Sequence, residues 1–218
     1  MSNPLAVAPL RSPIFSSSLA FGQDCLLCAG DSANEMVCVH CVASLPLLAP
    51  DMHRVVAPFE YLFPVDRLVQ RFKFAGDLAV GRWLAIQLAT RARQEPRPHV
   101  LIPVPLTRAR LRARGFNQSV EIARAVSREL HVPAAMRLLE RTRDAPPQAG
   151  LTRRARRANL RGAFRCPPNA LTGRHVALID DVVTTGATAD AAARALKRAG
   201  AARVDVWAIA RTPDSRNG

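Results

Sequence analysis

Residues 176–190 read VALIDDVVTTGATAD. Four apolar residues run directly into Asp180 and Asp181, and a Thr-Thr-Gly-Ala-Thr turn follows at Thr184–Thr188. A solid apolar run of this length, stopped by polar residues, reads as a strand buried on both faces of a helix-covered parallel sheet. Ligands of such sheets gather beyond the carboxyl ends of the strands. A strand predicted over 175–180 therefore brings two carboxylates to a crevice. Paired carboxylates accept hydrogen bonds from the vicinal hydroxyls of a ribose, and they also hold magnesium through water. The turn leads into a helix predicted over 187–199 and stopped by Gly200. Backbone N–H groups, the helix dipole and the hydroxyls of Thr184, Thr185 and Thr188 converge there on one phosphate, with Gly186 keeping a side chain out of the way and Ala187 starting the helix. Acceptors for sugar hydroxyls beside a phosphate turn define a ribose 5-phosphate site. A helix N-cap with two incidental acids would account for an isolated Asp-Thr, but it leaves the rest of the run unexplained.

Working outward, helical and extended patterns alternate. Residues 66–74 (DRLVQRFKF) set Leu68, Val69 and Phe72 on one helical face, and residues 79–91 repeat the pattern with Trp83, Leu84 and Leu88. Residues 100–106 (VLIPVPL) form a short apolar strand whose prolines end it at a sheet margin or turn. A helix is predicted over 117–130, with Val120, Ala123, Val126 and Leu130 on one side, and a last strand over 203–210. The alternation predicts an α/β domain, a parallel sheet with helices on both faces. The apolar runs are too short to span a bilayer. The first residues lack a basic start followed by a sustained apolar stretch, so a cytoplasmic protein is expected.

The formal charge of +14 is concentrated. Residues 108–165 hold fifteen arginines and no lysine against four acids, a net of +11. Such a segment raises the local concentration of phosphates or nucleic acid, in a manner that salt weakens. A general preference for Arg explains the choice of cation, since Lys73 and Lys197 are the only lysines, but it does not explain the imbalance of sign.

Cys25, Cys28, Cys38 and Cys41 form two C-x-x-C pairs in CLLCAGDSANEMVCVHC, and Cys166 stands apart. Each pair turns two sulfurs onto one cation, and two pairs complete the tetrahedral shell that structural zinc prefers. Two disulfides are the rival reading, disfavoured in a reducing cytoplasm, and a redox pair usually comes singly. His40, between the last two cysteines, is an alternative ligand. So few large apolar residues surround the cysteines that metal must supply most of this segment's folding free energy. The expected domains are 1–54, an amino-terminal segment with a four-cysteine zinc ribbon, and 55–218.

The stretch IDDVVTTGAT resembles the phosphoribosyl pyrophosphate signature of type I phosphoribosyltransferases. CLLC and CVHC, RFKFAGD, IPVPLTRARLRARGFNQS, RANLRGAF and IDDVVTTGAT, in this order, are together similar to the ComF family, which includes the competence-associated ComFC and GntX-like proteins. In that family a zinc ribbon precedes a phosphoribosyltransferase domain. The resemblance implies a loop at Pro105, Leu106, Thr107 and Arg108 for pyrophosphate, with Arg110, Arg114 and Asn117 following on the same side. It also implies a mobile hood over 141–165, where eight arginines accompany Pro and Gly. The chemistry implied is displacement of pyrophosphate at the anomeric carbon, helped by magnesium, with Asp180 and Asp181 as the catalytic carboxylates. No acceptor-base pocket is recognisable. The first reading is therefore a protein that binds phosphoribosyl pyrophosphate and acts in DNA uptake or processing, holding single-stranded DNA and working with uptake proteins, although the few aromatic residues offer little for stacking. The alternatives are a sensor that binds phosphoribosyl pyrophosphate without turnover and a transferase of nucleotide salvage.

Overall fold

The computed structural model describes residues 23–33, 35–47, 55–142, 160 and 162–213. They fall into two compact units, Met1–Val42 and Ala43–Gly218. The expected boundary lay at residue 54. The earlier division has a local cause, because the Glu60 N–H donates to the Pro46 carbonyl at 2.8 Å and Leu47 bridges to Phe59. The chain is thus already paired with the second unit before residue 48.

In the first unit, Cys25 and Cys28 flank a tight turn in which the Ala29 N–H donates to the Cys25 carbonyl, and Cys38 leads into the short helix α1 (Val39–Ala43). The second unit is built on a five-stranded parallel sheet. Its strands are β1 (Val55–Val56), β2 (Phe59–Glu60), β3 (Val100–Pro103), β6 (His175–Val183) and β7 (Arg203–Arg211). The order is β1-β7-β6-β3, with β2 also on β7. Helices α2 (Val65–Phe74), α3 (Leu78–Ala92), α4 (Arg108–Arg114), α5 (Gln118–Leu130) and α6 (Ala187–Arg198) connect the strands. A separate antiparallel pair, β4 (Glu140–Arg141) and β5 (Phe164–Arg165), brackets the base of the expected hood. The body of that hood, including Arg153, Arg154, Arg156 and Arg157, lies outside the described residues.

The faces predicted for α2 and α3 are the buried ones, whereas α5 buries Ile122 and Ala125 beside the expected Ala123 and Val126 and leaves Val120 and Leu130 half-buried, its buried face being turned from the one expected. Val65, Leu68, Val69 and Phe72 of α2 are buried, as are Trp83, Leu84 and Leu88 of α3, and Trp83 stacks on Phe59 with centroids 6.2 Å apart. α2 and α3 touch at Gly81, where an added Cβ would lie 2.3 Å from the Phe72 ring, so only glycine permits the contact. Under the other face, Leu178, Ala192, Leu196 and Val204 form one apolar cluster.

Two differences from the sequence reading bear on the site. β6 continues to Val183, so Asp180 and Asp181 lie within the strand, not at its end. β7 is long enough to pair with it, Asp180 opposite Ala208 and Val183 opposite Arg211. β3 stops earlier, at Pro103 opposite Ile179. The two aspartates therefore emerge where β6 has lost its neighbour on the β3 side. The second difference concerns Arg108, expected in a loop, which starts α4 because Thr107 caps that helix.

Candidate functional site

Past Ile179, the crevice beside β6 is lined by Asp180 and by the turn that follows the strand. A small concavity of about 40 Å³ is bounded by Asp180, Val182 and residues 183–189. Gly186 caps α6 in the left-handed conformation, with φ of 71°, which a residue with a β-branched side chain rarely adopts. The first N–H groups of an α-helix have no partner within the helix, and the residues that start α6, Ala187, Thr188 and Ala189, line the concavity.

Asp180 Oδ1 accepts from the Asp181 N–H at 2.9 Å and lies 3.4 Å from the Ser119 hydroxyl. Asp181 Oδ1 accepts from the Val182 N–H at 2.6 Å, while its Oδ2 lies 2.9 Å from the Lys73 ammonium. Burial, followed by the Asp181 charge, pushes the Asp180 carboxyl up to about 7, against the opposing pull of the Asp181 N–H, Lys73 and Ser119. The folded chain therefore keeps this proton through a window, from 3.8 to about 7, in which the unfolded chain has already released it. Stability falls as pH rises through that window, because the native state is the one holding more protons. Asp180→Asn removes the effect, so its melting temperature relative to the parent is expected to climb between about pH 4 and about pH 7 and to level off above. A difference that stays flat over this range would show that Asp180 ionises freely.

The positions expected to meet pyrophosphate have diverse local roles. Thr107 is buried, and its hydroxyl accepts from the Arg110 N–H at 3.1 Å. Asn117 caps α5, accepting from the Ser119 N–H at 3.0 Å and donating to the Val104 carbonyl at 3.1 Å. Its amide thus ties the start of α5 to the β3–α4 connection. Pro105 and Leu106 are half-buried in that connection, and Arg108 and Arg110 are exposed on α4. Arg114 donates to Gln118 Oε1 at 2.9 Å and lies over the Phe74 ring, 5.3 Å from its centroid.

Lys73 and Ser119, which meet Asp181 and Asp180, have no role in the sequence reading, nor has Gln118, which holds Arg114. The signal for Lys73 was available: in a chain that uses arginine almost everywhere, a lone lysine marks a place for a compact ammonium instead of a planar fork. Ser119 and Gln118 reach the site only through the packing of α5 beside β6, which spacing does not reveal.

In the first unit, the sulfurs of Cys25, Cys28, Cys38 and Cys41 all lie within 4.8 Å of one another, an arrangement that could hold a structural metal such as zinc. Cys25 Sγ also accepts from the Cys38 N–H at 3.3 Å.

Residues 117–217 match the family described as "Phosphoribosyl transferase domain". Competence protein F of Haemophilus influenzae is 33% identical over 192 residues, covering 80% of this chain and 84% of its own. The chain belongs to the ComF family. DNA utilization protein YhgH of Escherichia coli O157:H7 is 38% identical over 75% of this chain and 74% of its own. Among solved structures, the glutamine phosphoribosylpyrophosphate amidotransferase of B. subtilis aligns with a TM-score of 0.44 and 18% identity, over 65% of this chain and 30% of that one. The ComF chain combines a cysteine cluster that fits a small zinc ribbon with a phosphoribosyltransferase domain. Among the described residues, no helix is long and apolar enough to cross a membrane.

Proposed function

We propose that the larger unit binds phosphoribosyl pyrophosphate in the crevice of β6 and acts in the uptake or processing of DNA. The observation that carries the first half is that one concavity is shared by Asp180 and the turn from Thr184 to Thr188. Asp180 and Asp181 take the ribose hydroxyls, and Thr184, Thr185, Gly186, Ala187 and Thr188 take the 5-phosphate through backbone N–H groups and hydroxyls. Pro105, Leu106, Thr107 and Arg108 line the way to the pyrophosphate, with Arg110 and Arg114 supplying positive charge; Asn117 holds this connection in place. Hard oxygen donors and a polyphosphate suit magnesium, which on binding with the ligand offsets the charge of the leaving pyrophosphate. Zinc held by the four thiolates has a structural role, because a complete four-sulfur shell leaves no open coordination position.

Breaking the bond at the anomeric carbon leaves an oxocarbenium-like centre, so the site needs fixed charge and positioning more than a strong base. Lys73 keeps Asp181 oriented toward that centre. The second half of the proposal is supported by the central arginine excess and by the names of the relatives, a competence protein and a DNA utilization protein.

Calorimetry with phosphoribosyl pyrophosphate and magnesium tests the binding. Asp180→Asn combined with Asp181→Asn is expected to weaken that complex by more than it weakens ribose 5-phosphate, since the phosphate turn survives. Equal losses, or no binding of either ligand to the parent chain at millimolar concentration, would remove the ligand from this crevice. Pyrophosphate release with a panel of bases separates a transferase from a sensor.

A further inference from the structure

The buried stripe of α2 is Val65, Leu68, Val69 and Phe72, and Phe74 at the end of the helix lies off it. Phe74 is 73% exposed. Single exposed apolar residues are common on protein surfaces and need no explanation in themselves. Phe74 differs in its neighbours. The Arg114 guanidinium covers one face of the ring at 5.3 Å, and the degree of exposure leaves the other open to solvent. Arg114 is itself fixed by Gln118 Oε1, and the Gln118 Nε2 is buried with no partner.

Two routes connect this ring to the aspartates. Through its own helix, the preceding residue is Lys73, whose ammonium is 2.9 Å from Asp181. Through α5, the route runs by Arg114 and Gln118 to Ser119, whose hydroxyl is 3.4 Å from Asp180. The Phe72 and Phe116 rings, 5.5 Å apart, tie the end of α2 to the α4–α5 junction and fix the arrangement. An aromatic face with a cation set against it thus adjoins the lysine that meets Asp181 and lies against α4, which carries four arginines and no acid.

We infer that Phe74 and Arg114 form a stacking platform for a nucleobase of single-stranded DNA passing the mouth of the phosphoribosyl site. An aromatic face offers stacking to any base, and guanidinium groups add cation–π attraction and phosphate contacts. The open setting favours a base carried on a strand over a free base, which would need an enclosing pocket to compensate for its small contact area. The exposed arginines of α4 meet the phosphates on either side of that base. The inference rests on the proposed DNA reading and deepens it by naming where a base is held.

The test uses the full-length, metal-loaded chain and two probes: oligothymidylate about twenty nucleotides long, and an abasic strand of equal length with the same phosphates. The parent chain is expected to prefer the thymidine strand. Phe74→Ala should lower affinity for that strand by about 5- to 150-fold and leave the abasic strand unchanged. Phe74→Trp should restore the preference and add an emission that oligothymidylate quenches; Trp83 and Trp207 are both buried and supply the background. Retained melting temperature of Phe74→Ala shows that folding is intact, and the Phe74→Trp emission reports on the platform independently of it. Equal binding of both strands by the parent chain overturns the platform while leaving the DNA reading standing, as expected of a ring that serves a protein partner. Binding of neither strand overturns both. Quenching by free thymine as strong as by the strand would overturn the choice of a strand-borne base.

Discussion

Gly186→Val is expected to abolish binding of both ribose 5-phosphate and the magnesium complex of phosphoribosyl pyrophosphate. The residue has φ of 71° at the cap of α6, where L side chains are strained and a β-branched one most of all. A Cβ built there meets nothing within 4 Å, so the protein itself does not exclude valine by crowding. In the proposed site the open space next to the turn takes the phosphate, and the added methyl groups enter it. Strain of about 1–3 kcal/mol then either tilts the first turn of α6 away from the ligand or lowers stability directly. The substitution differs from the paired Asp-to-Asn change, which spares the turn and so spares part of the ribose 5-phosphate affinity. Titration calorimetry on the folded variant decides the matter. Phosphate binding retained within about tenfold of the parent, some 1.4 kcal/mol, would place the 5-phosphate elsewhere.

The parts of this fold that were legible in the sequence are those set by local pattern. The apolar run before Asp180, the stripe of α2 and the glycine at the turn each follow from periodicity or from a backbone requirement, and each lies where the spacing put it. What the sequence did not disclose depends on neighbours distant along the chain. Whether β6 ends at residue 180 or 183 is set by β7, which continues beside it to Arg211 after β3 has stopped. The residues around the aspartates arrive from α2 and α5, about 108 and 61 positions away in sequence for Lys73–Asp181 and Ser119–Asp180. A cluster at the opposite end of β6, buried His175 with buried Asp205 at 2.9 Å and exposed Arg203 with Asp205 at 2.8 Å, is likewise set by distant neighbours. Its members occupy strand positions 175, 203 and 205, and only the parallel register, with His175 opposite Arg203, brings them together.

Cys38→Ser combined with Cys41→Ser is expected to take the metal content from about one ion per chain to none, and to unfold the first unit while the second keeps its own melting transition. Among the described residues of the first unit, Val37 is the one buried aliphatic side chain. Its burial contributes about 2 kcal/mol, whereas ordering each residue's backbone costs about 1–2 kcal/mol. Hydrophobic burial alone therefore falls far short, and a structural zinc ion supplies on the order of 10 kcal/mol. The thiols show the same need. Although burial opposes its ionisation, Cys25 is brought down to about 6 by the N–H groups of Cys38, Cys28 and Leu27 and by the Cys28 side chain. Cys41 is pushed up to about 12, chiefly by its hydrogen bond with Cys28 and then by burial. Four sulfurs this close cannot all ionise without a cation between them, so metal binding must displace protons and must weaken as pH falls. Elemental analysis under reducing conditions and limited proteolysis at residues 25–41 read the two outcomes separately. No metal in the parent chain, or full occupancy in the double variant, would withdraw the four-sulfur site; metal loss without new cleavage would show that the ribbon folds by burial after all.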